Sequence, residues 1–304
     1  MAENAPVILF VYKRPSHTQM TIDALKSNHL ADQTDLLIYS DGAKGSEDAD
    51  RVNQVRGLIK SVKGFRTIQI IESPINKGLS NSIISGVSDV IEDYGKVIVL
   101  EDDMISSPYF LSYMNHSLKH YENILKVWHI NGWIYPVSNS LTKDTYLWRV
   151  MNCWGWGTWK NRWRSFEKDP NELISSFTPS DILKFSLRNR ADFWDQVIGN
   201  FKGYMNTWAI FWYASIFKNQ GLCLSPGKSL IENIGLDGSG THCKEQSSSN
   251  KEMGMEDYLP DHRVSEIEES SQLVKTIESY LMEQKSIRGK LLTHIKNVKI
   301  RLNL

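Results

Sequence analysis

Lys96-Val97-Ile98-Val99-Leu100-Glu101-Asp102-Asp103 joins a short apolar run to three consecutive acids. Aliphatic residues in a row, bounded by charge, read as a strand buried in a sheet. Upstream, residues 7–12, 36–40 and 67–72 are runs of the same kind, and each reads as a further buried strand. Helical patterns lie between them. The clearest is the recurrence of Leu79, Ile83, Val87, Val90 and Ile91 at spacings of three and four. Strand alternating with helix predicts an α/β fold, in which helices cover both faces of a mostly parallel central sheet through right-handed crossovers. Such sheets bind ligands beyond the carboxyl ends of their strands, so those ends are where chemistry is expected.

Three adjacent acids at a strand end are costly to bury unless a cation or hydrogen-bond donors meet them. Carboxylates supply the hard oxygen ligands of a divalent ion, and such an ion stabilises the charge that develops on a diphosphate leaving group. A solvated loop carrying acids by chance is the plainer alternative. The other strand ends agree with the first reading. Tyr12-Lys13-Arg14-Pro15 offers cationic donors for a diphosphate or a ribose. The turn Ser40-Asp41-Gly42 carries a carboxylate suited to a ring nitrogen of uracil or guanine, and Asn76-Lys77-Gly78 sets a Lys and a Gly before a helix, as suits a diphosphate. Each alone is an ordinary surface turn, but jointly they line one crevice.

Composition narrows the function classes. The chain has 304 residues, is 41% hydrophobic, and balances 35 Lys and Arg against 35 Asp and Glu. That is enough apolar content for a sizeable core and offers no charge argument for nucleic acid. No basic n-region with an apolar h-region opens the chain, and no apolar run reaches about 18 residues, so a cytoplasmic location is expected. Cys153, Cys223 and Cys243 have no C-x-x-C spacing and read as reduced, structural cysteines.

Residues 1–244 read as the catalytic domain, with 1–108 the nucleotide-sugar half and 109–244 an acceptor half dense in Trp, Tyr and Phe. The segment from Cys153 to Trp163 is either a core layer or a platform for sugar rings, whose flat C–H faces suit aromatics. Trp154 and Trp156, beside Gly155 and Gly157, are its candidates for sugar contact. Residues 233–242 are glycine-rich and close on His242, which suits a loop folding over a donor, with His242 a second metal or diphosphate contact. A structural histidine is the alternative. Residues 245–304 read as a linker and a C-terminal helical tail. Within it Ile287, Leu291, Ile295, Val298 and Leu302 form an apolar stripe among Lys and Arg. A helix of that kind suits an anionic membrane surface or a partner chain, so peripheral contact through residues 285–304 is expected.

The stretch GKVIVLEDDMISSPYFLSYMNHSLKHYENILKVWHINGW, residues 95–133, resembles the corresponding part of the eukaryotic β-1,2-N-acetylglucosaminyltransferase I family and, more broadly, bacterial sugar transferases of the GT-A class. Weaker similarity covers Arg14, the Ser40-Asp41-Gly42 turn and Asp192-Phe193-Trp194-Asp195. The resemblance implies a Rossmann-like GT-A catalytic domain that takes a sugar from a nucleotide diphosphate, first of all UDP-GlcNAc, with Mn2+ or Mg2+ as cofactor. The acceptor would be a saccharide or a lipid-linked saccharide of a surface glycan.

The same resemblance implies the roles. Asp103 would ligate the metal, Glu101 and Asp102 would contact donor sugar and ribose, Asp41 would recognise the base, and Arg14 would sit beside the nucleotide, where the strand-end reading already places Tyr12 and Lys77. Asp195, with Asp192 the alternative, would be the general base of an inverting displacement. Gln196 stands where the family keeps a second acid. Two competitors remain. A sugar nucleotidyltransferase shares sheet and acids but usually has a glycine-rich loop where Tyr12-Lys13-Arg14-Pro15 stands, and a non-catalytic carbohydrate-binding protein would use the aromatic segment alone.

Overall fold

The computed structural model describes residues 4–238 and 257–301. Its first part alternates strand and helix: β1 (Val7–Val11), α1 (Pro15–Lys26), β2 (Asp35–Ser40), α2 (Ser46–Ile59), β3 (Thr67–Glu72), α3 (Leu79–Tyr94) and β4 (Lys96–Glu101). These four strands pair in parallel in the order β3-β2-β1-β4. A short ribbon strand, β5 (Met104–Ser106), then leads into α4 (Phe110–His120).

The sheet continues with β6 (Val127–Asn131), β7 (Thr145–Trp148) and β8 (Trp156–Trp159). Small helices α5 (Lys160–Trp163), α6 (Pro170–Ser176), α7 (Pro179–Phe185) and α8 (Phe193–Phe201) follow, then α9 (Ala209–Lys218), β9 (Leu222–Pro226), β10 (Ile231–Asn233) and α10 (Ser271–Arg301). The full sheet has eight strands in the order β3-β2-β1-β4-β8-β6-β9-β7, and β10 pairs with β5 outside it. β8 runs antiparallel to both β4 and β6, and β7 antiparallel to β9, so every other strand points one way. The expected mostly parallel α/β sheet is therefore present.

Successive side chains of a strand point to opposite faces, and β1 uses both. Ile8 and Phe10 join Ile83, Val87 and Ile91 of α3 and Phe211 and Trp212 of α9 in one core layer. Val7, Leu9 and Val11 join Ile22 and Leu25 of α1, Val55 and Ile59 of α2, and the apolar side of α4 in the other. β3 differs from the sequence expectation of a buried strand. It is the sheet edge, with Thr67, Gln69 and Glu72 exposed, because among the described residues no strand lies beyond it.

The stretch expected to be a tail is tied to the body. The Tyr121 hydroxyl donates to the carbonyl of His262 (2.8 Å), Thr145 to that of Asp261 (2.8 Å), and Ser270 N–H to Leu147 (2.8 Å). Leu273 and Ile277 of α10 are fully buried in the α3/α9 layer. Burial of such side chains stabilises by about 1.5–3 kcal/mol each. Among the described residues no helix is long and apolar enough to cross a membrane.

Candidate active site

β1, β2 and β4 lie side by side, so their carboxyl ends deliver Tyr12, Asp41 and Glu101-Asp102-Asp103 to one sheet edge. Arg14, the residue just before α1, turns back onto the acids. Its Nη2 donates to Asp102 Oδ1 and, at 2.8 Å, to Asp103 Oδ2. Tyr12 N–H reaches Asp102 Oδ2 at 3.4 Å, and the Thr21 hydroxyl donates to the Asp102 carbonyl at 2.9 Å. Two polar atoms of this cluster are buried and have no partner: Arg14 Nη1 and Asp103 Oδ1.

The electrostatics follow from burial. Burial pushes the Glu101 carboxyl up to about 8, with Asp103 and Asp102 adding to the rise and Arg14 opposing it. It also raises Asp102, against the pull of Arg14. Burial works against the charge of Arg14, yet Asp102 and Asp103 outweigh it, so the guanidinium is held above its usual range. The acids thus outnumber the cation beside them, in a place largely closed to water.

A divalent ion would meet this arrangement through one atom in particular, the buried, unpartnered Oδ1 of Asp103. Among the described residues no group of three His, Cys, Asp or Glu converges as a complete ligand set. Mg2+ and similar ions are commonly held by one or two carboxylates plus phosphate oxygens and water, so Asp103, with Glu101 and Asp102 beside it, would be the protein's share of such a site.

The Asp41 carboxylate is heavily engaged. Its Oδ1 accepts the N–H of Gly42 (2.9 Å) and of Lys77 (2.8 Å), and its Oδ2 accepts Gly78 N–H (2.9 Å). An ionised carboxylate has about four acceptor positions, so a single one is left for a base. Asp41 therefore pins the β3–α3 loop, where Gly78 takes φ 74, a left-handed value that glycine adopts at least cost. The helix N-terminus and the exposed Lys77 side chain are held beside the crevice by this knot.

Several participants carry no sequence signal. The Asp48 carboxylate accepts the Tyr12 hydroxyl (2.7 Å) and Lys13 Nζ (2.6 Å), which hold it below the usual carboxylate range. Burial, then this hydrogen bond, push the Tyr12 phenol up to about 12. Lys168 Nζ donates to Ser80 Oγ (2.9 Å) in the first turn of α3 and to Asn206, adding a cation near the helix N-terminus. Gly235 lies against the central pair: a Cβ there would fall 2.1 Å from Asp103 Oδ2 and 2.8 Å from Arg14 Nη1. β10 brings it there, its pairing with β5 carrying Asn233 to Met104, and Ile234 N–H donates to the Asp103 carbonyl (2.9 Å). The glycine-rich character of residues 233–242 was the one available hint. His242 lies outside the described residues.

Two expectations meet different surroundings. Trp156 is fully buried, stacked between His129 (5.3 Å) and Trp208 (5.1 Å), which makes it core and removes it from the crevice wall. Its strand β8 sits inside the sheet, where both faces are covered. The half-buried Trp154 packs edge-on against Trp133 at 4.6 Å, at the same sheet edge as the acids. Asp195 is exposed in the first turn of α8, whose aromatic residues Phe193 and Trp194 pack against Phe185. Asp192 is 65% exposed and paired with Lys285 of α10 at 2.8 Å. Among the described residues neither acid touches the Arg14–Asp103 cluster.

No family model and no curated protein matches the sequence. Among solved structures, a mannosyltransferase, PcManGT from Pyrobaculum calidifontis in complex with GDP-Man and Mn2+, is similar over 71% of this chain and 69% of its own, at 7% identity and TM-score 0.40. The galactosyltransferase LgtC, in complex with donor and acceptor sugar analogs, is similar over 71% and 72% at 12% identity and TM-score 0.37. S. aureus TarS is similar over 46% of this chain and 24% of its own, at 10% identity and TM-score 0.32. Likenesses of this grade leave the function to be argued from the site itself.

Proposed function

We propose that the chain is an inverting, metal-dependent glycosyltransferase of the GT-A architecture, moving a sugar from a nucleotide diphosphate to an acceptor hydroxyl. The observation that carries this reading is the buried, unpartnered Oδ1 of Asp103, set among three acids and one arginine at the carboxyl edge of the sheet. A buried carboxylate oxygen without a partner is costly, and a cation shared with a diphosphate would satisfy it.

Mn2+ or Mg2+, when bound, supplies charge neutralisation for the leaving diphosphate. Asp103 is its ligand in this reading. Glu101 and Asp102 face donor sugar and ribose, while Arg14, Lys77 and the N-terminus of α3 provide positive potential for phosphate oxygens. Tyr12 and the remaining acceptor position of Asp41 serve the nucleoside. Asp195 is the base: the acceptor oxygen bonds to the anomeric carbon as the bond from that carbon to the β-phosphate oxygen breaks. The hydroxyl proton passes to the Asp195 carboxylate, and the nucleoside diphosphate leaves with the bonding pair. The donor is a UDP-sugar, UDP-GlcNAc first, and the acceptor a saccharide or lipid-linked saccharide. UDP-GlcNAc comes first because residues 95–133 read as resembling the N-acetylglucosaminyltransferase I family.

Thermal shift against UDP, GDP, CDP and dTDP sugars, each with Mn2+ and with EDTA, tests the reading. Stabilisation by one nucleotide class, lost with EDTA and in Asp103→Ala, is the expected outcome. Indifference to every nucleotide would overturn the transferase and favour a carbohydrate-binding module.

A further inference from the structure

Arg14 occupies the place where a cation would serve Asp102 and Asp103. A single guanidinium nitrogen, Nη2, contacts both carboxylates, while Nη1 and the Asp103 Oδ1 remain buried and unpaired. A salt bridge that leaves a donor and an acceptor unsatisfied on the same two side chains is well matched to a second partner carrying both signs. A diphosphate with its divalent ion is such a partner: phosphate oxygens meet Nη1, and the ion meets Oδ1. Until it arrives, a guanidinium 2.8 Å from Asp103 repels any dication approaching Oδ1, and exclusion of water leaves that repulsion poorly screened.

The two members of the pair differ in freedom. Asp103 is fixed from behind, its carbonyl held by Ile234 N–H and its carboxylate roofed by Gly235. Apart from its contacts with the two carboxylates, Arg14 is held among the described residues through its backbone carbonyl, which accepts the N–H and the hydroxyl of Thr18, both at 2.9 Å. Its long side chain is therefore the part that moves.

We propose that Arg14 is a resident counter-ion that guards Asp103 against a lone divalent cation and gives it up only to a nucleotide diphosphate, so that cation and nucleotide bind together. This rests on the transferase reading. Arg14 is thus a positioning residue with two alternative partners, the acids and the diphosphate.

The test is Mn2+ affinity without nucleotide, read from the electron paramagnetic resonance signal of free Mn2+, for the wild type, Arg14→Met and Arg14→Lys. The same titration is repeated with UDP and, for the wild type, with GDP, CDP and dTDP. In the wild type Mn2+ alone binds weakly and UDP tightens it at least tenfold, with the reciprocal effect of Mn2+ on UDP. In Arg14→Met, Mn2+ alone binds at least tenfold tighter than to the wild type, and the further tightening by UDP is smaller than in the wild type. Arg14→Lys, which keeps the charge but makes fewer contacts, falls between them and decides the matter if Arg14→Met does not fold. Unchanged or weaker nucleotide-free Mn2+ binding in the folded variant overturns the guard role while the wild-type response to UDP preserves the transferase. A wild type that binds Mn2+ no better with any of the four nucleotide classes overturns both.

Discussion

Asp192 and Asp195 share a helix end and a chemistry, yet their surroundings separate them. Asp192 is spent on Lys285 at the surface, whereas among the described residues no such ion pair holds Asp195. Asp195→Asn is expected to lower kcat by about 10²–10⁴ with donor KM unchanged, while Asp192→Asn keeps full turnover. Equal losses in steady-state assays of both variants would move the base elsewhere. Gly235 is decided by space alone. Gly235→Ala forces a methyl into the Asp103 carboxylate, so at least tenfold weaker Mn2+–nucleotide binding is expected by calorimetry, with an unchanged circular dichroism spectrum.

At the scale of elements, the joint between β6 and α9 holds an acid-sensitive histidine. His129 Nε2 lies 3.1 Å from the Asn152 carbonyl, and its Nδ1 accepts the Trp212 indole N–H at 3.1 Å. That pattern needs a neutral ring, and burial pushes its pKa down to about 3. The unfolded chain, titrating near 6.5, binds the proton first as pH falls, so stability is intact above about 6.5 and declines toward 3. The slope per histidine approaches about 1.4 kcal/mol per pH unit. Urea denaturation followed by Trp fluorescence at pH 7 and pH 5 measures it, and a midpoint independent of pH across that range would exclude a neutral, buried His129. The knot at the start of α3 has a different signature. Asp41→Ala strips three backbone N–H groups of their acceptor and is expected to cost about 1–3 kcal/mol in the same assay at pH 7. No loss would mean that water replaces the carboxylate.

For the whole molecule, the boundary that matters lies inside α10. Ending the chain at residue 256 removes Leu273 and Ile277 from the core and the Arg149–Glu269 ion pair from the surface of β7. Soluble, cooperatively melting protein is not expected from it. Ending it at residue 286 spares those contacts, so the melting temperature should hold; with the basic stripe read as a membrane contact, any binding of the full chain to vesicles of anionic lipid is lost in this truncation. Vesicle binding that survives this truncation would remove the basic stripe as the membrane contact.

As far as β4, the order of strands and helices, the edge at which the acids collect and, further on, the glycine-rich run were legible in the sequence, because each depends on local pattern: apolar runs, a period of three to four, and acids after a strand; the strands and helices of residues 109–244 were not. Partners across the fold were not. Nothing near Asp48 in the chain announces Tyr12, thirty-six positions away. Trp154 and Trp156 look alike in sequence, yet one falls inside a two-faced sheet and the other at its rim. The polar stretch before α10 read as a linker, and only packing made the first turns of that helix part of the core. Sequence alone determined which groups were available for chemistry. Tertiary structure decided which were paired, because burial and pairing are properties of neighbours brought together by the sheet order, over separations that no local pattern spans.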